Sequence, residues 1–154
     1  MSDVALIFDA ATGCWDIALD GPDLVTTDTL ETAVIVSLFS DARARSDDVI
    51  PDGTGNPRGW WADKAEPRLR PAASNDRLGS RLWLLSREKQ IPATLVRLKG
   101  YVAEALAWMV EDKLASRIDV EASFPRRDWA AFSVELTRPD GGIERYGYNF
   151  RWGA

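Results

Sequence analysis

The residue types that most often carry enzyme chemistry are scarce in this sequence. Its 154 residues include no histidine and a single cysteine, Cys14. Ser–His and Cys–His couples, imidazole ligands for zinc and thiolate metal centres are therefore excluded, and one cysteine cannot form an internal disulfide. We expect neither a bound metal nor a cofactor.

Carboxylates are the remaining candidates for acid–base chemistry. Glycoside hydrolysis needs two carboxyl groups at a set separation, one of them with a raised pKa. Asp63, Glu66, Glu88 and Glu104 are available, but no spacing singles out a pair, and solvated or helix-surface positions explain each of them. We expect no enzyme, and hydrolysis by a pair of these carboxylates is the alternative.

Tryptophan is concentrated in an irregular stretch in the middle of the chain. Arg58-Gly59-Trp60-Trp61-Ala62-Asp63 opens this stretch, and Gly79-Ser80-Arg81-Leu82-Trp83-Leu84-Leu85 closes it. Disordered segments are poor in aromatic residues, so we expect a loop over about residues 46–79 to dock onto the protein's own core or onto a partner. Adjacent indoles point to opposite sides of an extended chain. Either one of Trp60 and Trp61 enters the core while the other meets a partner, or both hold the loop on the core.

Charge is unevenly distributed along the chain. Residues 1–57 hold eleven acids and two bases, residues 58–118 hold seven acids and twelve bases, and the net charge is −5. Either these segments face each other and the solvent, or the basic middle docks on an acidic protein surface. A chain that is acidic as a whole lacks the basic footprint of a nucleic-acid-binding protein, so we expect no nucleic-acid partner.

Composition indicates a globular protein. Apolar residues make up 45% of the chain and charged residues 28%, which is typical of a folded domain. No apolar run approaches the roughly 18 residues of a membrane-spanning helix, and the acidic start Met1-Ser2-Asp3 is unlike a secretory signal. We expect one domain over residues 1–154, no membrane association and no small-molecule substrate.

Hydrophobic periodicity predicts an α+β fold. Residues 4–8 and 14–19 flank a glycine-containing loop and predict an N-terminal β-hairpin. An apolar stripe that follows Asp28 predicts a helix over about residues 29–44. Residues 80–89 predict a short helix capped by Ser80, and Pro92 begins a second main helix that runs to about residue 114.

The last part of the chain predicts a three-stranded antiparallel meander. Apolar and polar residues alternate over residues 118–124, 129–137 and 143–152. Pro139-Asp140-Gly141-Gly142 is a strong hairpin signal between the last two strands. Tyr146, Tyr148, Phe150 and Trp152 then share one face of the final strand.

The paired motifs at residues 58–63 and 79–85 resemble those of the Mu-like phage baseplate wedge protein family (the gp forty-six type). That family is related to the gpW-like wedge, or sheath-initiator, proteins of contractile tails. The resemblance covers nearly the whole chain, in the order acidic hairpin, helix, Trp-Trp loop, Gly-Ser helix start, long helix and meander. The wider family often has a Glu-Pro-Arg turn after the long helix, where this chain has Glu111-Asp112-Lys113.

The resemblance implies a structural component of a contractile phage or prophage tail baseplate. The alternative that it raises is a tail-associated muralytic, lysozyme-like enzyme that uses a carboxylate pair. The resemblance also implies binding to the larger wedge proteins and to the start of the tail sheath, a place in the virion tail baseplate, and synthesis in the cytoplasm of a bacterial host. Strand addition at an edge of the meander is one physical route to such contacts. The residues at which we expect partner contacts are Arg58, Trp60, Trp61, Asp63, Arg81, Tyr146, Tyr148 and Arg151.

Overall fold

The computed structural model describes residues 3–60 and 78–152, and its elements confirm the predicted α+β class. Short β-hairpins come first, then a helix, a 3-10 helix, a long helix and a three-stranded antiparallel sheet. Contacts divide the chain into two compact units, Met1–Val36 and Ser37–Ala154. The single domain over residues 1–154 stays a prediction.

Three pairs of short antiparallel strands form the N-terminal unit. They are β1 (Asp3–Val4) with β6 (Thr26–Thr27), β2 (Leu6–Asp9) with β3 (Cys14–Ile17), and β4 (Leu19–Asp20) with β5 (Asp23–Leu24). The predicted N-terminal hairpin is the β2–β3 pair, so that prediction is confirmed.

The three strand pairs meet at Ala5, Ala18 and Val25. The N–H of Ala5 donates to the Val25 carbonyl at 2.8 Å, and the N–H of Val25 donates to the Ala18 carbonyl at 3.0 Å. The N–H of Ala18 donates to the Ala5 carbonyl at 2.9 Å. Each bond extends one of the three strand pairs by one residue, so the three pairs converge at this junction.

Helix α1 spans Glu31–Phe39, so the predicted end near residue 44 is wrong. The chain leaves the helix because the next residues pair with a distant segment. The N–H of Ser80 donates to the Ser40 carbonyl, and the N–H of Ala42 donates to the Ser80 carbonyl, both at 2.9 Å. A helical continuation would have to give up these bonds.

The predicted short helix is a 3-10 helix over Leu82–Leu85, and the long helix α2 spans Pro92–Glu111 with proline in its first turn. The C-terminus of α2 is closed by a Schellman motif. Lys113 adopts a left-handed conformation with φ of 62°, and the N–H of Leu114 donates to the Met109 carbonyl at 2.8 Å.

The predicted meander is confirmed as an antiparallel sheet in the order β7-β8-β9. Its strands are β7 (Arg117–Arg126), β8 (Trp129–Thr137) and β9 (Ile143–Arg151). Helix α2 packs against β7. Fully buried apolar side chains of α2 and β8 form much of the core of this unit: Leu98, Val102, Leu106, Met109, Ala130, Phe132, Val134 and Leu136.

Replacing Gly100 by alanine should stabilise the protein. Gly100 is exposed on α2, and a Cβ added there would meet no atom within 4 Å. Because glycine inside a helix costs about 1 kcal/mol relative to alanine, we expect Gly100→Ala to raise the free energy of unfolding in urea by about that amount. The matched control is Ala103→Gly, at another exposed position of α2, which should lower it by a similar amount. A lower stability of Gly100→Ala would contradict this description of the helix.

Candidate functional site

The two tryptophan-containing motifs converge on residues 40–44, which we call the clasp segment. A Cβ on Gly79 would lie 2.4 Å from the Ser40 carbonyl oxygen, and a Cβ on Gly59 would lie 2.7 Å from Cβ of Arg43. The two glycines also have φ values of 100° and 99°, which other residues rarely adopt. Each motif therefore needs its glycine in order to approach the clasp segment.

Ser80 fastens the clasp segment to the end of α1. Its hydroxyl donates to the Leu38 carbonyl at 2.6 Å, and its Oγ accepts a bond from the N–H of Leu82 at 3.3 Å. The second bond is local to the turn before the 3-10 helix. The N-cap of that helix is Arg81, which makes no side-chain capping bond, so the prediction that Ser80 caps it is wrong. The first bond satisfies a carbonyl in the last turn of α1, where the helix leaves such groups without a partner of its own.

Arg58 and Trp83 connect the two motifs directly. The Arg58 guanidinium lies 4.4 Å from the Trp83 ring centroid and donates to the Asp41 carboxylate at 2.8 Å. The indole N–H of the buried Trp83 donates to the Ala42 carbonyl at 2.8 Å. A guanidinium over an indole contributes roughly 0.5–1 kcal/mol at an exposed site, so this stack holds both motifs on the clasp segment.

Arg81 is enclosed by two carboxylates. Its Nη1 donates to both oxygens of Asp48 at 2.8 and 2.9 Å, while Nε and Nη2 donate to Glu104 at 3.2 and 2.6 Å. The guanidinium also lies 4.5 Å from the ring centroid of Tyr101. Only 9% of the Arg81 side chain is exposed. The structure thus gives Arg81 an internal role, and its contact with a partner stays a prediction.

This network shifts pKa values in opposite directions. Burial alone would raise the pKa of Asp48, but the N–H of Arg45 and the guanidinium of Arg81 lower it below its usual value. Burial alone would lower the pKa of Arg81, but its bonds to Glu104 and Asp48 raise it. Both groups therefore stay charged over a wide pH range.

The carboxylates considered for hydrolysis do not form an open pair in the described part of the chain. Both oxygens of Glu104 accept bonds from Arg81, and Glu88 accepts one from Arg97 at 2.8 Å. Asp63 and Glu66 lie outside the described residues. Since a guanidinium group engages each of the two described carboxylates, Glu88 and Glu104, they give no support to a muralytic enzyme.

Residues 3–60 and 78–152 lack the features of a metal site and of a membrane-spanning helix. These residues contain no group of three or more cysteine, aspartate or glutamate side chains that could hold a metal ion. None of their helices is both long enough and apolar enough to cross a membrane.

A groove of about 290 Å³ opens beside the clasp segment. It lies between the end of α1, the 3-10 helix and the end of β9. Its lining is mainly apolar and consists of Leu38, Phe39, Asp41, Ser80, Leu82, Trp83, Leu85, Ser86, Phe150, Arg151 and Trp152. An apolar cavity with a few charged groups is typical of a site that accepts a side chain or a small ligand.

A row of aromatic rings extends from this groove along the sheet. Ring centroids are 5.1 Å apart for Phe39 and Tyr148, and 5.3 Å apart for Tyr148 and Phe132. The row continues through Phe150 to Trp152 with centroid distances of 6.0 and 5.9 Å. Each such pair contributes roughly 0.5–1.5 kcal/mol beyond its buried area, so the rings give the groove a rigid wall.

Some of the residues at which we expect partner contacts lie at this groove. Arg151 lines it, and Arg58 borders it through its contacts with Asp41 and Trp83. Tyr148 contacts the groove residue Phe39 in an edge-to-face arrangement. These placements come from two distant parts of the sequence, and whether the residues contact a partner stays a prediction.

The other expected residues are placed differently. Trp60 is exposed next to Gly59, and Tyr146 lies on β9 with its hydroxyl donating to Glu144. Trp61 and Asp63 lie outside the described residues. Sequence reasoning missed the lining residues of α1, Leu38 and Phe39, because a helical stripe predicts only a buried face.

Comparison with known proteins gives one consistent result. The model of the family described as Phage protein GP46 matches residues 30–143. The chain is 45% identical over 146 residues to baseplate protein gp46 of Escherichia phage Mu, which covers 95% of this chain and 94% of that protein. It is 34% identical over 152 residues to Mu-like prophage FluMu protein gp46 of Haemophilus influenzae, which covers 99% and 98% of the two chains.

Gly79→Ala should destabilise the protein more than Gly55→Ala. Both glycines have positive φ, but an added Cβ meets no atom within 4 Å at Gly55, whereas at Gly79 it would clash with a backbone carbonyl. From left-handed strain alone we expect a loss of about 1 kcal/mol at Gly55, and from strain plus overpacking about 3 kcal/mol or more at Gly79. Urea unfolding measures both losses, and equal losses would contradict the close approach to Ser40.

Stability should also fall in acid partly because of Asp48. Its folded pKa is lowered from 3.8, so the unfolded chain takes up the proton first as the pH falls. The contribution of Asp48 is complete above about pH 5 and is lost as the pH falls through its folded pKa. Asp48→Asn should therefore flatten the decline of the unfolding free energy below about pH 5, as measured by urea titrations.

The control is Asp47→Asn, which removes the same charge from the neighbouring exposed position. If this variant flattens the pH profile as much as Asp48→Asn does, the effect belongs to net charge and not to the contacts of Asp48 with Arg81 and Arg45.

Proposed function

The chain belongs to the GP46 family of phage proteins, and from that premise we propose that it is a structural component of a contractile phage or prophage tail baseplate. The observation that carries the proposal is the 45% identity with a protein named as a baseplate protein of phage Mu. Because the alignment covers 95% of this chain and 94% of that protein, the similarity is not confined to one element.

The proposed partners are the larger wedge proteins of the baseplate and the first subunits of the tail sheath. In this proposal the chain is made in the cytoplasm of the bacterial host and is then built into the virion tail. It acts by being bound and catalyses no reaction. A structural protein of this kind needs rigid surfaces with distinct shape and charge, not a solvent-shielded reaction site.

The groove and its aromatic row support a binding role. Phe39 is exposed at the groove and packs edge-to-face with Tyr148, so an inserted partner side chain would meet a preformed apolar wall. Arg151 supplies a cation at the end of β9. A wedge-protein segment with a leucine or phenylalanine beside an acidic residue matches both features.

The outer edge of β9 supports a second contact. In the sheet β7-β8-β9, β9 is the last strand, and no strand of the described residues pairs with its other side. An extended partner segment added there would gain backbone hydrogen bonds. Arg145, which pairs with Glu135 at 2.6 Å, and Arg151 place charges along this edge, which hinders indiscriminate strand pairing.

Two measurements test the proposal. Mass spectrometry of purified tails should find this chain in every preparation, and co-production with the larger wedge protein of the same tail should yield a complex. We expect Arg151→Glu to weaken that complex about tenfold in Kd, which corresponds to about 1.4 kcal/mol.

The matched control is Arg127→Glu, which makes the same charge change at an exposed position of the β7–β8 turn and should leave the Kd unchanged. Tails without this chain would contradict the structural function. An equal effect of the two substitutions would instead contradict the assignment of the contact to the groove.

A further inference from the structure

The N-terminal unit carries an apolar surface that the proposed function does not use. Residues paired in an antiparallel ladder share a face, and Leu6 pairs with Ile17 while Phe8 pairs with Trp15. These four side chains, which we call the hairpin face, therefore lie on one side of β2 and β3. Phe8 is 55% exposed and Ile17 is 49% exposed, so much of the hairpin face meets solvent.

The neighbouring hairpin of β4 and β5 also exposes apolar side chains. Leu19 and Leu24 pair with each other in β4 and β5, and they are 68% and 51% exposed. Large exposed apolar patches on a protein commonly mark interaction surfaces. A two-stranded hairpin is also only marginally stable by itself, so covering this face would stabilise the strands that present it.

The charge of this unit restricts what can cover it. Residues 1–36 contain seven acids and no lysine or arginine. The acids are Asp3, Asp9, Asp16, Asp20, Asp23, Asp28 and Glu31. Such a surface repels the phosphates of nucleic acids and of anionic lipids. It attracts lysine and arginine, so the complementary partner is a basic protein segment.

The two faces of the hairpin differ in a regular way. The side opposite the hairpin face carries Asp9 and Asp16 together with Ile7 and Cys14. The carboxylate of Asp9 accepts bonds from the Thr12 hydroxyl and the Ala11 N–H, both at 2.8 Å, which lower its pKa and keep it charged. One side of the hairpin is thus entirely apolar, and the other combines two carboxylates with Ile7 and Cys14.

We propose that an extended protein segment in which apolar residues alternate with lysine or arginine adds to an open edge of the β2–β3 hairpin. In the described chain this sheet has two strands, so each strand keeps an outer edge. An added strand follows the same two-residue alternation as its neighbour. Its apolar side chains extend the hairpin face, and its basic side chains lie beside Asp9 and Asp16.

The test is an NMR titration of the ¹⁵N-labelled full-length chain with a synthetic peptide that alternates valine with lysine. We expect the largest amide shifts in β2 and β3. We expect the Kd to increase about tenfold or more when Phe8 and Ile17 are both replaced by threonine, since the apolar contact is lost. The matched control is Ile7→Thr on the opposite face, which should change the Kd by less than about twofold.

Two further peptides keep the test decisive if the double variant does not fold. On the unmodified chain, replacing lysine by glutamate in the peptide should abolish the shifts, and replacing valine by serine should weaken binding. Equal binding of the lysine and glutamate peptides, or shifts that lie mainly outside β2 and β3, would overturn the proposal. Self-association of the chain through the same amides would also overturn it, because the occupant would then be a second copy. The titration contains no other component of a tail, so its result is independent of the proposed function.

Discussion

The approach of Gly79 to the Ser40 carbonyl sets the geometry of the functional surface in the C-terminal unit. With 2.4 Å between that oxygen and any added Cβ, only glycine allows the two backbones to pair. The pairing ends α1, and in the same segment the Ala42 carbonyl accepts a bond from the indole N–H of Trp83. The groove lies where these groups meet, so its shape follows from one backbone contact.

The Arg81 network fixes the other side of the same region. Burying a guanidinium with Asp48 and Glu104 costs desolvation energy that the ion pairs only roughly offset. The effect of such a cluster is greatest when one member is lost, because an uncompensated buried charge remains. Arg81 directly precedes the 3-10 helix, Asp48 lies in the loop after the clasp segment, and Glu104 lies on α2. The network therefore holds the start of the 3-10 helix against that loop and against α2.

Surfaces of different chemistry are present in the two units. The C-terminal unit offers a groove with aromatic walls and an arginine at its end, together with the free edge of β9. The N-terminal unit offers a hairpin with one apolar side and one side that carries Asp9 and Asp16. Unlike surfaces lower the risk that one partner occupies the place of another. The described surface is therefore consistent with a role in assembly.

The sequence by itself determined the elements whose signal is local. The stripe after Pro92 and the alternation over residues 129–137 are repeated many times within a short stretch, and the structure has α2 and β8 (Trp129–Thr137) there. The family also followed from motifs that are legible in the sequence, because each is a short run of distinctive residue types.

Only the tertiary structure decided how those motifs are used. The Ser80 hydroxyl bonds a carbonyl 42 residues earlier, and no local period reports a contact over that separation. The end of α1 depended on the same pairing, since a helix continues only where its hydrogen bonds compete successfully with non-local ones. Arg81 looked like a surface residue of a motif, yet the fold encloses it between two carboxylates. Local patterns specify elements, whereas the roles of Gly59, Gly79 and Arg81 depend on which distant backbone or charge the fold brings beside them.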